Sequence, residues 1–343
     1  MIPLHQAKYK QTMNERTHKI NFRIQLVAVG IGIVLMGIKF FAWWLTNSNA
    51  ILTDALESII NVVAGLFALY SLHITSIPKD ANHPYGHGKV EFMAAGFEGG
   101  LIVLAGLLIV GKGAYNLIFP QELEKIDIGL ILTAFSGLIN FGLGFFVLRQ
   151  GKKSHSLTMQ ADGKHLLSDA YSSAGILLGM LLLYFTGATW LDNLTAIIFG
   201  FVILYTGLQL LRTSVSGIMD EAEPETIRPL VDIMLQNRRD NWVDIHNLRA
   251  IRYGSAIHID CHLTVPWYFT VEEGHAEVKL LETLVQKDNP TQVELFVHAD
   301  PCRPPSACSI CRKADCAQRQ AAFERDVPWT LESLLHLRNH QEL

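Results

Sequence analysis

The sequence contains six long apolar runs, at about residues 22–45, 50–72, 91–118, 128–149, 165–187 and 190–212. A helix needs about 20 apolar residues to cross the hydrocarbon core of a bilayer, and each run reaches that length. The composition agrees, since only 17% of the residues are charged, against about 25% in a typical soluble domain. The runs therefore predict a membrane domain of six transmembrane helices over residues 22–212, preceded by an N-terminal arm, residues 1–21.

The distribution of basic residues predicts the orientation, because connections rich in lysine and arginine stay on the cytoplasmic side of a membrane. The connections predicted to be outside, residues 46–49 and 121–127, contain a single lysine. Basic residues concentrate in the arm, in the other connections and after the last run (Lys8, Lys10, Arg16, Lys19, Arg23, Lys79, Lys89, Arg149, Lys152, Lys153, Lys164 and Arg212). We expect a multi-pass inner-membrane protein with both termini in the cytoplasm.

The chain becomes more polar near residue 213, where the apolar runs end. The pattern predicts a helix at 222–237, strands at 245–253 and 256–265, a helix at 271–286 and a strand at 292–298. This αββαβ order is typical of a small, ferredoxin-like α+β domain, here residues 213–302. A polar tail, residues 303–343, contains one amphipathic piece near 328–339. The net charge of −4 gives no indication of nucleic-acid binding.

Polar residues interrupt the second and fifth apolar runs at helical spacing. Asp54, Glu57 and Asn61 share one face of the second span, and His165 and Asp169 lie one turn apart in the fifth. Ionisable groups inside a bilayer are costly and usually mark an ion or proton pathway. Imidazole and carboxylate ligands suit Zn²⁺ and its first-row neighbours. Polar contacts that only join two helices are the alternative.

Three segments resemble motifs of the cation diffusion facilitator family. They are Ala50–Asn61 (AILTDALESIIN), the loop Asn82–Glu91 (NHPYGHGKVE) and the fifth-span pattern HxxxD at His165–Asp169. The resemblance covers residues 22–302 and implies a homodimeric, proton-coupled exporter of divalent metal ions. It also implies that the transport site is formed by Glu57, Asn61, His165 and Asp169.

The second-span motif departs from the family pattern. Zinc-transporting relatives have Asp or His at the position of Glu57 and Asp at that of Asn61. An amide in place of a carboxylate weakens a site for a hard dication, and Asp54 is a candidate accessory ligand. Because His165 is retained, Zn²⁺ is the preferred ion and His165 the preferred proton-coupling group. Fe²⁺, Co²⁺, Ni²⁺, Mn²⁺ and Cd²⁺ remain open.

Two further features lie beside the spans. Asp80, His83 and His87 occupy a short cytoplasmic connection, where His at i and i+4 can chelate one ion; a solvated polar loop is the alternative. By the resemblance, Lys89 pairs with Asp220 in a structural salt bridge at the junction of the two domains. Lys89 could equally be a residue that only sets orientation.

The C-terminal region offers two more candidate metal sites. By the resemblance, the cytoplasmic site consists of His262, His275, His298 and Asp300. Cys302, Cys308, Cys311 and Cys316 follow, spaced C-x5-C-x2-C-x4-C. Four thiolates suit a tetrahedral Zn²⁺ site, and free thiols in a flexible tail are the alternative.

The sequence therefore predicts a secondary active transporter that exports Zn²⁺, or another divalent transition metal, across the bilayer in exchange for protons, with the metal also acting as a regulator. A membrane-anchored metal sensor or assembly protein with a degenerate transport site is the main alternative, because of Asn61. No motif typical of a hydrolase, a P-loop enzyme or a catalytic zinc site is present, so an enzyme is not expected.

Overall fold

The structure is a computed structural model and describes residues 4–46, 49–119, 127–186, 190–221, 224–254, 256–287 and 292–340. The chain divides into two compact units. One is Thr12–Met219, and the other is Asp220–Leu343 together with Met1–Gln11. The predicted domain boundaries at 21, 212 and 302 remain predictions.

Long helices occupy the first part of the chain. They are α1 (Leu4–Thr46), α2 (Asn49–Thr75), α3 (Val90–Ile118), α4 (Asp127–Ser154), α5 (Leu157–Thr186) and α6 (Trp190–Ile218). Among the described residues, α1, α2, α3 and α6 contain apolar stretches long enough to cross a membrane. Helices α4 and α5, of 28 and 30 residues, exceed the length of about 20 residues that a span requires. The predicted fold class, a helical membrane domain followed by an α+β domain, is confirmed.

The prediction for the start of the fifth helix differs from the structure. Apolarity alone placed it at residue 165, whereas α5 begins at Leu157, directly after a short turn from α4. Lys164 therefore lies within α5, and Arg149, Lys152 and Lys153 lie within α4, rather than in a loop. The hydropathy pattern marks the hydrocarbon boundary of a helix, whereas hydrogen bonding at its first turn decides where it starts.

A row of glycines lets α3 and α6 pack closely. Gly99, Gly106 and Gly113 recur every seven residues on α3 and face the backbone of α6. A Cβ atom at Gly106 would lie 2.9 Å from the Leu204 nitrogen and 3.2 Å from the Gly200 oxygen. Small residues are typical of membrane helix interfaces, because lipid gives no hydrophobic drive and close backbone approach provides the attraction.

The second unit contains α7 (Pro224–Gln236), β1 (Asp244–Tyr253), β2 (Ala256–Val265), α8 (Val271–Lys287) and β3 (Gln292–Pro301). The strands form one sheet in the order β1-β2-β3, with β1 antiparallel and β3 parallel to β2. The predicted αββαβ order is thus confirmed. One face of the sheet packs with α7 and α8, through side chains such as Ile227, Ile259 and Leu281.

The C-terminal segment packs onto this unit, which the sequence did not lead us to expect. Trp329 and Leu334, at the short helix α9 (Leu331–Leu335), are buried in the same core as the sheet. The Asn247 N–H donates to the His336 oxygen at 2.7 Å, and Asn339 donates to Thr264 at 2.9 Å. The predicted amphipathic piece near 328–339 buries its apolar side here, so residues 327–340 are not a free tail.

The glycine contacts lead to a test of the α3–α6 packing. Gly106→Val should lower the thermal stability of the detergent-solubilised protein, because overpacking a tight contact costs about 1–3 kcal/mol. Gly100→Val is the matched control, since a Cβ at Gly100 meets no atom within 4 Å. Equal melting temperatures for the two variants in a fluorescence-based unfolding assay would contradict this packing.

Candidate metal centres

A cluster of polar side chains joins α2 to α5. The Asn61 amide nitrogen donates to Asp169 Oδ2 at 2.5 Å, and the Asn61 oxygen lies 3.2 Å from His165 Nε2. Asn61 and Asp169 are partly buried and His165 is buried. Asn61 is more than 100 positions away from the other two residues, and the fold brings the three together as one group of oxygen and nitrogen donor atoms.

The other two residues predicted for this site, Glu57 and the accessory Asp54, lie on α2. Their side chains lie outside the described residues, so their participation stays a prediction. A helical step of four residues places position 57 one turn before Asn61, on the same face.

A buried acid on α3 adds to the cluster, and its role was not predicted. Glu98 is fully buried, and its Oε2 lies 4.0 Å from His165 Nδ1. Within the described part of the chain, neither oxygen of Glu98 accepts a hydrogen bond. A buried carboxylate without donors is costly unless it carries a proton or faces a cation. The sequence did offer a signal for Glu98, because an acidic residue in the middle of an apolar span is unusual.

A second buried acid, Asp162, lies on α5 one turn before His165. It accepts a hydrogen bond from Gln25 Nε2 of α1 at 2.9 Å. The sequence analysis overlooked Asp162 because it placed residue 162 in a connection outside the fifth span. The pair links α1 to the helix that carries His165 and Asp169.

The N-terminus of α5 is fixed by a carboxylate from α3. Glu91 Oε2 accepts hydrogen bonds from Ser156 Oγ at 2.9 Å and from the Thr158 N–H at 3.1 Å. A carboxylate is favourable there because the first N–H groups of a helix lack partners within the helix and carry the positive end of its dipole. This contact explains why α5 begins near residue 157, and it sets the axial position of His165 and Asp169.

The short connection between α2 and α3 forms a second cluster. Ligand atoms of Asp80, His83 and His87 lie within 4.8 Å of one another. Asp80 Oδ1 lies 3.1 Å from His83 Nδ1, and Asp80 Oδ2 lies 3.5 Å from His87 Nε2. Hydrogen bonds to Asp80, foremost from the His83 backbone N–H, hold the pKa of its carboxyl below the ordinary value. The lowered pKa favours the ionised carboxylate, which is the form that binds cations.

A third cluster lies on the sheet of the C-terminal unit. His246, His262 and His298 are paired in register across β1, β2 and β3. His262 Nδ1 lies 2.8 Å from Asp300 Oδ2, and His246 Nε2 lies 3.7 Å from the same oxygen. Ligand atoms of His246, His262 and Asp300 come within 4.8 Å of one another. His298 Nε2 lies 3.3 Å from Asp300 Oδ1 and extends the cluster.

Two residues of this cluster need separate mention. His275, also predicted for this site, lies on the exposed side of α8 and is not part of the described group of close ligand atoms, so its role stays a prediction. His246 was missed, although it is the cross-strand partner of His262. Cross-strand register depends on the bulge between His246 and Arg249, which the sequence pattern does not reveal.

The remaining predicted residues are Lys89 and Asp220, with the four tail cysteines. Lys89 and Asp220 belong to different compact units, so their salt bridge stays a prediction. Cys302, Cys308, Cys311 and Cys316 are free of disulfide bonds and lie around one cavity.

Comparison with known proteins gives two family matches that together span most of the chain. Residues 25–219 match the cation efflux transmembrane domain, and residues 222–302 match the cation efflux protein cytoplasmic domain. An uncharacterized transporter of Synechocystis sp. is 31% identical over 282 residues, which cover 82% of this chain and 91% of the relative. Cation-efflux pumps FieF of Pectobacterium atrosepticum and Yersinia pestis are 30% and 31% identical, over 80% and 81% of this chain and 90% and 91% of theirs.

The sheet cluster makes a prediction about His246. In a fragment beginning at residue 220, with Cys302, Cys308, Cys311 and Cys316 replaced by serine, added Zn²⁺ should raise the melting temperature, because an ion that binds only the folded form stabilises it by mass action. His246→Ala should reduce this increment. His258→Gln should keep it, since His258 faces Glu294 at 3.1 Å rather than the cluster. An unchanged increment in His246→Ala would exclude His246 as a ligand.

Proposed function

The chain belongs to the cation diffusion facilitator family, the cation efflux proteins, and we propose that it exports divalent transition-metal ions, Zn²⁺ first among them, in exchange for protons. The matches establish a metal-cation transporter in the membrane rather than an enzyme. The ion, the proton coupling, the homodimer and the orientation with both termini in the cytoplasm of the inner membrane are parts of our proposal.

The observation that carries the proposal is the contact of Asn61 with His165 and Asp169 between α2 and α5. One imidazole, one carboxylate and one amide oxygen converge there, and Glu98 adds a buried carboxyl group beside the imidazole. Ionisable groups gathered inside a membrane bundle usually serve an ion or proton path. Two helices that each supply ligands can also shift relative to each other, which alternating access requires.

The proposed cycle begins with a metal ion that enters from the cytoplasm. It binds the carboxylates of Asp169 and Glu57, the neutral imidazole of His165 and the oxygen of Asn61. The Asn61 amide donates to Asp169 Oδ2, so an ion that binds this oxygen competes with that hydrogen bond. The helices then open the site outward. Because metal ligands must be deprotonated, protons from outside compete with the ion and promote its release.

The donor set favours a borderline metal over a hard one. Imidazole suits zinc, copper, iron and nickel, whereas Mg²⁺ and Ca²⁺ prefer sites made only of oxygen ligands. Zn²⁺ is therefore our first choice, with Fe²⁺, Co²⁺, Ni²⁺, Mn²⁺ and Cd²⁺ to be compared directly. The neutral Asn61 lowers the charge of the site relative to one with an aspartate there.

The sheet cluster and the loop cluster are proposed as accessory sites. The match of residues 222–302 to the cytoplasmic domain of cation efflux proteins supports a homodimer as the expected assembly. His298 and Phe296 are exposed on the open face of the sheet. We propose that metal at the cluster of His246, His262 and Asp300 favours pairing of two cytoplasmic domains, which would make the substrate also a regulator.

The alternative function is a membrane-anchored sensor that binds metal without moving it. The neutral Asn61 favours this alternative, because it removes one ionisable group from the site. The buried acids Glu98 and Asp162 favour transport, because a sensor has no need of costly carboxylates deep in the helical domain.

The transport site can be tested with Asp169→Asn, which keeps the size of the side chain and removes its charge. Metal transport into proteoliposomes should fall by more than about ten-fold, since even the loss of a group that only supports a metal ligand costs 10–100-fold in affinity. Ser168→Ala is the control, because the Ser168 hydroxyl donates only to the Lys164 backbone oxygen of its own helix. Wild-type rates in Asp169→Asn would refute the assignment.

The proposed role of the Asn61 amide as a metal ligand can be tested with Asn61→Asp. This change places two carboxylates within hydrogen-bond distance of each other, an arrangement that requires a shared proton or a cation. Zn²⁺ should bind more tightly at neutral pH, and transport should depend more steeply on pH. If neither the affinity nor the pH profile of transport changes, Asn61 lies outside the set of metal ligands.

A further inference from the structure

Four cysteines surround one small cavity at the end of the sheet. Cys302 follows β3, Cys308 lies in the 3-10 turn Ser306–Ser309, and Cys311 and Cys316 follow it. The cavity measures about 20 Å³, which is enough for one water-sized occupant. Tyr268 and Arg319 are also among its lining residues. Residues 302–316 thus contribute four thiols to the lining of one cavity.

Hydrogen-bond donors reach the sulfur atoms of this cluster. The Gln320 N–H donates to Cys308 Sγ at 3.4 Å, and the Tyr268 hydroxyl lies 3.5 Å from Cys316 Sγ. The Trp267 backbone N–H donates to Cys302 Sγ. All four sulfur atoms thus have a donor, since Cys311 receives the Lys313 backbone N–H in the same way.

A single arginine organises the loop around the cavity. Arg319 donates to the backbone oxygens of Cys308, Cys311 and Lys313, each at 2.9 Å. These bonds hold the turn that presents the thiols, and the guanidinium places a positive charge beside them. A site of four thiolates around a dication carries a net charge of about −2, so a fixed cation nearby is favourable.

The surroundings separate this cluster from free thiols in a flexible tail. Cys308 and Cys311 are buried, and Cys311 packs with Ile310, Val243 and Val327. Between residues 310 and 330 the chain contains no helix or strand, so local backbone pairing does little to hold it. Short irregular segments of this kind usually depend on a crosslink or a metal for their structure.

We propose that Cys302, Cys308, Cys311 and Cys316 together bind one Zn²⁺ in a structural site that fastens the C-terminal segment to the cytoplasmic domain. The match to the cytoplasmic domain of cation efflux proteins ends at residue 302, so three of the four ligands lie beyond it. The site is distinct from the transport path and from the sheet cluster. Because Cys302 lies two residues after Asp300, the ion also fixes the end of β3 that supplies a ligand to the sheet cluster.

The test uses Co²⁺ as the spectroscopic probe on the full-length protein in detergent, stripped of metal and kept reduced. Thiolate ligands give Co²⁺ strong charge-transfer absorption in the near ultraviolet, which carboxylate, amide and imidazole ligands do not. We expect this band to saturate at one equivalent per chain and to disappear when Zn²⁺ is added. Absence of the band in the reduced wild-type protein overturns the proposal without recourse to any variant.

Variants then assign the ligands. Cys311→Ser and Cys316→Ser should each weaken the band and reduce the affinity for Co²⁺ by about ten-fold or more, since both remove a direct ligand. Cys261→Ala is the matched control, because Cys261 is the remaining thiol of the chain and is buried in the core, where burial raises its pKa to about 12. A band of full intensity in both serine variants, or one that is lost in Cys261→Ala, contradicts the assignment. Asp169→Asn should keep the band, so failure of the transport proposal leaves this test intact.

Discussion

The hydrogen-bonded contact between Asn61, His165 and Asp169 is the interaction on which the rest of the membrane unit depends. Polar side chains in a membrane bundle need partners on other helices, because the surrounding lipid offers none. The amide of Asn61 meets this need for both a carboxylate and an imidazole on α5. An amide is neutral, so the contact can form without metal and without a proton. A cation at this site therefore competes with the hydrogen bond between Asn61 and Asp169. With an aspartate at position 61, it would instead offset the repulsion between two carboxylates.

Packing elsewhere in the unit keeps this contact in place. Glu91 fixes the start of α5 from the first turn of α3, and Gln25 binds Asp162 from α1. The close approach of α3 and α6 at Gly99, Gly106 and Gly113 makes a firm pair of helices, and Glu98 projects from that pair toward His165. A site between a rigid helix pair and α2 can change its exposure when α2 and α5 move, without any change in the identity of its ligands.

Much of this architecture could be predicted from the sequence, and the exceptions have physical reasons. The apolar runs and the period-two strands depend on local patterns, so the helices and the αββαβ order were predicted closely. The pairing of His165 with Asp169 on α5 could be predicted because their spacing is one helical turn. His246 was missed because strand register is a tertiary property, set here by a bulge. Asp162 and the true start of α5 were missed because a polar first turn resembles a loop. The docking of Trp329 in the core was missed because the adjoining segment is polar and has no helix or strand pattern, which is typical of a mobile tail.

The central claim is that the buried polar cluster carries metal ions across the bilayer in exchange for protons. The most direct measurement reconstitutes the wild-type protein into vesicles that contain a metal-sensitive dye and have an acidic interior. Zn²⁺ added outside should enter faster than in protein-free vesicles, and an ionophore that collapses the pH gradient should slow its entry. The lumen should become less acidic as the metal enters. If no divalent ion among zinc, iron, cobalt, nickel, manganese and cadmium enters faster than in protein-free vesicles, the cluster holds metal without moving it, and the account of an exporter is wrong.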